Sequence, residues 1–593
     1  MNIKACYIIS LMTMGSLFFV GCEDLKFGNA FLDKPLSTDI TLDTVFSSKK
    51  YAEQALAEVY HSLPDFLPMD GRFGWGVLES ITDIGDNVKD RNAYYTGQVS
   101  STSSFPYSFV TSTASSEVAA MGASYGIRKA WLYIENVDRV ADMTNEEKAI
   151  GKAEAKLIIA YHYADMLRYY GGMPWIDHAF RPDEDFKMSR MTIEEMVGKI
   201  GQLTEEAATV LPWSVPSEED GRMTAAAALA LNVRVRLFVA SPLFNSVSPF
   251  MEGEASSAHY TWYGDFRESR WQDALDAGLN FLRENQKNQN YYCLVNTGNP
   301  REDFVNAYFT RYNREVLIAS HRWVTCGGNK AIQQIKFGIS NPTGNYGDMF
   351  EWKTGEPFDW NNPEHRAHPF FDENNNPTRD IRMYETLMVN GDKWQGRKLE
   401  GYEGGREGWN STNSNFQKNA YNGYGMRKFQ RDLSTERNGK PYQCPLLRLP
   451  EIYLSIAEAM NELGKANMKD EFQRDAYDYI NLVRNRAGMP NLDKSKITPG
   501  IKLREAILHE RVVEFGFEEV RFFDINRWKR YDLLDVEYFG LLTKKDGNNF
   551  TYERKPLRYD RIWLERWSDK YYLIPIPQDE INKKYGLVQN PGW

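Results

Sequence analysis

Residues 509–528 read HERVVEFGFEEVRFFDINRW, a stretch in which acidic and basic side chains alternate with apolar ones. Glu510 and Glu514 are one helical turn apart, so their Cβ atoms are expected about 5–6 Å from each other. A glycosidase needs two carboxylates about 5–10 Å apart in a cleft. Here both share one helix with arginines, which favours structural ion pairs over catalysis. The charged residues concerned are Glu510, Arg511, Glu514, Glu518, Glu519, Arg521 and Asp524.

Helical periodicity surrounds this stretch. Apolar residues recur at spacings of three and four, which is typical of amphipathic helices. Thr144 with Glu147 and Thr192 with Glu195 form two capping boxes, each of which predicts a helix start. Gly171 is expected to end the first of these helices. The predicted helical segments are 50–63, 130–140, 144–170, 192–211, 224–240, 267–284, 449–463, 472–483 and 503–515.

Successive helices at intervals of roughly 30–40 residues indicate stacked helical hairpins. The predicted fold is therefore mainly α, a tetratricopeptide-like scaffold of helical hairpins with a large irregular, loop-rich region. That irregular region is centred on residues 341–425, which are rich in Gly and Asn and lack apolar periodicity. Long loops inside a compact domain are uncommon and are often functional.

Composition excludes several classes of protein. The chain has 593 residues, 42% hydrophobic and 26% charged, as expected for a globular protein. The formal charge is −10 and no basic stripe is present, which disfavours nucleic-acid binding. Aromatic residues number 81, or 14%, which is more than core packing requires.

The N-terminus predicts export. Lys4 precedes an apolar run of 16 residues, 5–20, too short for a confident membrane span and suited to a signal peptide. Phe19-Val20-Gly21-Cys22 resembles a bacterial lipobox, with Phe19 in place of the usual Leu, so Cys22 is the expected lipidation site. The alternative is an ordinary signal peptide with an incidental cysteine. Polar residues 22–45 are expected to form a tether.

Three further segments carry a resemblance that extends over nearly the whole chain. Residues 447–459 read LRLPEIYLSIAEA, residues 572–581 read YLIPIPQDEI, and residues 589–592 read QNPG. With 509–528, their order and spacing resemble the SusD/RagB family of Bacteroidetes outer-membrane lipoproteins. Residues 241–245, SPLFN, agree with this. Val512 departs from the family, which commonly has a second Arg there.

The resemblance implies a domain organisation and a function. Residues 1–21 would be a lipoprotein signal peptide, 22–45 a tether and 46–593 a single SusD-like domain. That domain would divide into an N-terminal helical part (46–290), a loop-rich ligand region (291–445) and a C-terminal helical part (446–593). The protein would be non-catalytic and anchored to the outer membrane through Cys22, facing the exterior. It would bind oligosaccharide and deliver it to a SusC-like TonB-dependent transporter.

Two other functions remain open from the sequence. One is a surface glycoside hydrolase or lyase of a polysaccharide-utilisation system. The other is a partner subunit of the transporter that binds peptide or has a structural role, without a glycan site. No cofactor is expected under any of the three.

Aromatic residues outside helical periods are the candidate ligand contacts. Sugar rings present C–H patches that pack on aromatic faces, while Asn and Arg side chains satisfy the hydroxyls, because unpaired polar groups are costly. The alternative for each aromatic is packing within its loop. The candidate ligand-binding residues are Asn87, Arg91, Tyr94, Tyr95, Tyr107, Trp323, Trp352, Trp360 and Trp394.

Metal and disulfide signals are weak. His365 and His368 lie three residues apart in a loop that contains proline. Asp372-x-Asn374-x-Asn376 begins like a calcium loop, but Pro377 stands where an EF-hand needs Gly, so a turn is expected. Cys293, Cys326 and Cys444 form no CxxC pair, and whether any two of them pair is open.

Overall fold

The computed structural model describes residues 41–64, 77–87, 93–103, 122–181, 183–184, 187–321, 341–409, 422–429, 443–557 and 560–593. Helices dominate the described chain and strands are few and short, so the predicted mainly-α class is confirmed. Within these residues no helix combines the length and the apolarity needed to cross a membrane.

The N-terminal part is a run of helices. Both predicted capping boxes are present: the Thr144 and Thr192 hydroxyls accept the N–H groups of Glu147 and Glu195. Gly171, with φ +82°, ends the longest helix as expected. The helices are α1 Leu42–Val45, α2 Lys49–Tyr60, α3 Ala93–Thr96, α4 Ala123–Asn136, α5 Asn145–Tyr170, α6 Ile193–Val210, α7 Ala225–Ala240, α8 Glu254–Ser257 and α9 Ser269–Lys287.

The middle is irregular, as its composition predicts. It contains α10 Pro300–Phe309, α11 Gly344–Met349, α12 Pro363–Ala367 and α13 Met383–Thr386. Its strands, with β1 from the N-terminal part, are β1 Gly85–Asp86, β2 Val316–Ser320, β3 Asn341–Pro342, β4 Leu387–Met388, β5 Lys393–Trp394, β6 Arg397–Lys398 and β7 Gly425–Met426. The antiparallel pairs are β1 with β3, β4 with β7, and β5 with β6.

The C-terminal part returns to helices. It contains β8 Cys444–Arg448, α14 Leu449–Glu462, α15 Ala476–Arg486, α16 Ile501–Phe515, α17 Arg521–Arg527, β9 Phe539–Asp546, β10 Asn549–Pro556, α18 Ile562–Glu565 and α19 Gln578–Asn582. Strand β8 pairs with β2, and β9 pairs with β10 as a hairpin.

Helices pack in sequence order into one stack. Helix α4 packs on α5, α5 on α6, α6 on α7 and α7 on α9. The stack then continues from α9 to α14 and from α14 to α15, so the two helical parts share one large hydrophobic core. This arrangement confirms the predicted scaffold of stacked helical hairpins.

A second, smaller core supports the irregular middle. It joins buried residues of the middle, such as Phe350, Tyr384 and Trp394, to Val512 of α16 and Leu541 of β9. The loop-rich region is therefore fixed to the scaffold through α16 and the β9–β10 hairpin.

A buried ion cluster lies between the two cores. Arg448 contacts Glu514 at 2.9 Å and Glu518 at 2.7 Å, and Arg382 contacts Glu510 at 2.6 Å. Burial acts to raise the pKa of Glu514, but the neighbouring arginines more than offset this and hold the pKa well below its usual range. All five side chains are at most 3% exposed. The predicted structural role of Glu510, Glu514 and Glu518 is confirmed by these pairs.

Candidate functional site

Four aromatic rings form a surface row on the β9–β10 hairpin and the adjoining loops. We call Trp360, Tyr402, Phe550 and Tyr552 the aromatic row. Ring centroids are 5.8 Å apart for Tyr402 and Phe550, and 5.6 Å apart for Trp360 and Tyr552. Phe550 is 37% exposed and the other three are half-buried. The row therefore presents ring surface to solvent at four neighbouring positions.

The hairpin geometry explains why two of these rings lie side by side. Phe550 and Tyr552 are two residues apart on β10, so both project from the same face of the strand. Gly547 starts the two-residue loop with φ +58°, a conformation that glycine adopts without strain. Tyr402 reaches the row through a parallel bridge to Thr543, whose partner in the hairpin is Tyr552.

The row ends in a fixed polar group. Asp348 accepts a hydrogen bond from Trp360 Nε1 at 2.8 Å through Oδ1. Its Oδ2 accepts from Arg554 Nη2, also at 2.8 Å. Burial raises the pKa of Asp348, and these two donors act in the opposite direction. The carboxylate thus orients an indole at the surface and holds a guanidinium beside it.

A groove of about 1130 Å³ begins at this polar end. Its walls come from α16, the loop after α15, the 532–537 segment and the end of β10, and Asp348 and Arg554 belong to its lining. Ile501 and Val536, which line it, are 71% and 42% exposed. The groove is larger than typical small-ligand pockets and combines apolar and charged side chains. Row and groove thus form one continuous surface.

Three of the predicted contact residues, Asn87, Tyr94 and Tyr95, are buried. The Tyr94 ring packs edge-on against Trp563 with centroids 5.2 Å apart. The Tyr95 hydroxyl lies 2.8 Å from Asp86 Oδ1 and accepts the Asn87 N–H at 2.9 Å. Asn87 is fully buried. These contacts direct the side chains into the protein, so no ring face of Tyr94 or Tyr95 is left at the surface.

Two predicted tryptophans are also buried. Trp352 is 3% exposed and stacks on His365 with centroids 4.2 Å apart. Trp394 is 2% exposed, with the Arg427 guanidinium 5.0 Å from its ring centroid. Of the described candidates, Trp360 alone belongs to the row. The remaining candidates, Arg91, Tyr107, Trp323 and the lipidation site Cys22, lie outside the described residues.

Tyr402, Phe550 and Tyr552 were not among the sequence candidates. A signal for two of them does exist in the sequence. Residues 546–549 read DGNN, a hairpin-turn pattern, and Phe550 and Tyr552 follow in strand alternation with polar residues between them. Tyr402 carries no comparable signal, because its contact with the hairpin spans 141 residues of sequence.

The residues behind the weak metal signals make ordinary polar contacts. His365 and His368 face different carboxylates, Glu356 at 3.1 Å and Glu373 at 3.2 Å. Asp372 Oδ1 accepts two backbone N–H groups, which confirms the predicted turn. Among the described residues, no three potential ligands of the His, Cys, Asp or Glu type come together as a metal site. Cys293 and Cys444 form no disulfide with each other, and Cys326 lies outside the described residues.

Comparison with known proteins shows which family the chain belongs to. A family model described as "SusD family" matches residues 267–593, more than half of the chain. A second model, described as "Starch-binding associating with outer membrane", matches residues 77–237. The chain belongs to the SusD family. The resemblance seen in residues 447–459, 509–528 and 572–581 is thereby confirmed.

Solved structures share the fold. A SusD-like protein from Bacteroides fragilis is 22% identical with a TM-score of 0.68, covering 93% of this chain and 99% of that chain. A SusD-like carbohydrate-binding protein from the same species is 19% identical with a TM-score of 0.65, covering 91% and 99%. Surface glycan-binding protein A from Bacteroides thetaiotaomicron is 17% identical with a TM-score of 0.51, covering 92% and 100%.

One curated relative matches part of the chain. SusD-like protein P2 from Formosa agariphila is 30% identical over 153 residues, which is 25% of each protein. The chain thus aligns with about a quarter of that relative's length. Family membership therefore rests on the model that matches residues 267–593, and the solved structures show the same fold.

Proposed function

We propose that the protein is a non-catalytic, cell-surface glycan-binding lipoprotein that delivers oligosaccharide to a SusC-like TonB-dependent transporter. The observation that carries this proposal is the aromatic row, which presents four part-exposed rings on a SusD-family scaffold. Part-exposed aromatic rings beside fixed polar groups are the combination that sugar binding requires.

Capture would proceed by stacking and hydrogen bonding. The C–H face of each sugar would lie on Phe550 or Tyr552. Asp348 and Arg554, which are hydrogen-bonded to each other at one end of the row, would face the sugar hydroxyls. Each ring would contribute about 1 kcal/mol beyond the area it buries. A few such contacts give modest affinity, which suits a protein that must release its ligand.

A glycan panel tests binding against hydrolysis. The purified protein is incubated with polysaccharides, and both retardation in affinity gels and released reducing sugar are measured. We expect retardation by at least one polysaccharide and no released sugar above a buffer control. Sugar release that persists through repurification would support the hydrolase or lyase alternative instead. If no polysaccharide retards the protein, the partner-only alternative gains support.

The anchor is proposed to be a lipid on Cys22, since residues 19–22 resemble a lipobox. Membrane anchoring would place the row at the cell surface beside the transporter. We expect metabolic labelling with palmitate to tag the full-length protein and to be lost in Cys22→Ser. Labelling that survives this substitution would point to an ordinary signal peptide with an incidental cysteine.

A further inference from the structure

Two cationic side chains flank the aromatic row on the same face of the hairpin. Lys545 is the hairpin partner of Phe550, and side chains of directly paired residues share a face. The Lys545 ammonium lies 4.7 Å from the Tyr402 ring centroid. At the other end, Arg554 follows Tyr552 by two residues and therefore projects from the same face.

The lysines on the opposite face share a carboxylate partner, whereas Lys545 has none among the described residues. Lys544 and Lys555, on the other side of the hairpin, both contact Glu553, at 3.0 and 2.5 Å. Lys545 makes no ion pair within the described part of the chain. The negative charge of nearby Glu403 contributes to raising the pKa of Lys544.

Arg554 keeps donors available for a ligand. Its side chain is 57% exposed and contacts a single carboxylate, Asp348, through Nη2 at 2.8 Å. This bond fixes the guanidinium at the end of the row while its other N–H groups remain at the surface. Arginine forks of this kind suit carboxylate and other oxyanions.

We propose that the row binds an anionic glycan, one whose sugars carry carboxylate or sulfate groups. This proposal rests on the proposed function and names the ligand class of the same site. Lys545 and Arg554 bind acidic groups at the two ends, while the rings between them take the C–H faces of the sugars. Phe550, which pairs with Lys545, lies four residues before Arg554 on β10. These two positions are therefore about 13 Å apart along the strand. The two cations therefore contact different sugar units of one chain.

The protein as a whole is acidic, in contrast to the two cations Lys545 and Arg554 beside the row. With a net charge of −10, general attraction for polyanions is absent. Any preference for an acidic glycan must then come from particular cations at the binding surface. Exposed charges attract weakly and are screened by salt, so the preference should depend on ionic strength.

Matched polymer pairs test the ligand class. Affinity gels would contain polygalacturonate or its methyl ester for the carboxylate, and chondroitin sulfate or its desulfated form for the sulfate. We expect at least one acidic member to bind about tenfold more tightly than its neutral match in 50 mM NaCl. The preference should largely disappear in 500 mM NaCl.

Lys545→Gln gives the residue-level test, with Lys544→Gln as the control on the opposite face of the same strand. We expect Lys545→Gln to weaken acidic binding about fivefold and neutral binding by a clearly smaller factor, with no effect of Lys544→Gln. Equal effects of the two variants, or tighter binding of the neutral members, would overturn the anionic class while leaving glycan binding intact. Absence of binding to all four polymers would overturn the anionic class, and absence of binding to the whole polysaccharide panel would overturn both proposals.

Discussion

Replacing Arg448 by Met is expected to lower the free energy of unfolding by about 3–5 kcal/mol, the cost typical of removing one partner from a buried ion pair. Arg448 is fully buried and contacts Glu315, Glu514 and Glu518 at 2.7–3.0 Å. Met fills a similar volume but supplies no positive charge. The loss is large because carboxylates that remain buried without a counter-charge keep their full desolvation cost.

The effect would spread beyond one helix. Glu514 also contacts Arg382 and Arg486, so the cluster connects β8, α15, α16 and the segment before α13. The free energy of unfolding of an ordinary domain is about 5–15 kcal/mol in total. Arg448→Met is therefore expected to unfold at markedly lower urea concentration.

Arg283→Met is the matched control. Its partner is Glu471 at 3.0 Å, but the two side chains are 43% and 47% exposed. Exposed pairs contribute about 0–1 kcal/mol, so this variant should unfold close to the wild type. Urea unfolding followed by circular dichroism measures both. A shift of less than about 1 kcal/mol in Arg448→Met would contradict the role given to the cluster.

The second large effect concerns the ligand. The double variant Tyr402→Ala, Phe550→Ala is expected to weaken glycan binding by at least about 30-fold, since two stacking rings contribute about 1–1.5 kcal/mol each plus their buried area. Neither side chain belongs to the two hydrophobic cores, so folding should be retained. Isothermal titration with the tightest polysaccharide of the panel measures the change, and thermal unfolding checks the fold.

A control must remove aromatic surface of the same kind elsewhere. Tyr51 on α2 and Phe266 before α9 are 45% and 52% exposed. Tyr51→Ala, Phe266→Ala should bind like the wild type. If the control loses as much affinity as the row variant, or if the row variant binds normally, the ligand lies elsewhere. The predicted contacts Arg91, Tyr107 and Trp323 would then be the next residues to substitute.

Much of the scaffold was predictable from the sequence, because helix formation depends on neighbours three and four residues away. The capping boxes at Thr144 and Thr192 and the stop at Gly171 are local signals, and each appears where expected. The pairing of Glu510 and Glu514 with arginines was also foreseeable, because an uncompensated buried charge is too costly to keep. Their actual partners, Arg382 and Arg448, lie far away in the chain.

The location of exposed aromatic rings was decided by tertiary structure alone. Tyr94 and Trp352 both lie outside helical periods, yet long-range or loop contacts with Trp563 and His365 bury them. Tyr402 and Phe550, separated by almost 150 residues, meet at the surface. The sequence by itself determined the helices, the family and the excess of aromatic residues. Which rings face solvent depends on contacts between distant segments, and no local pattern encodes those contacts.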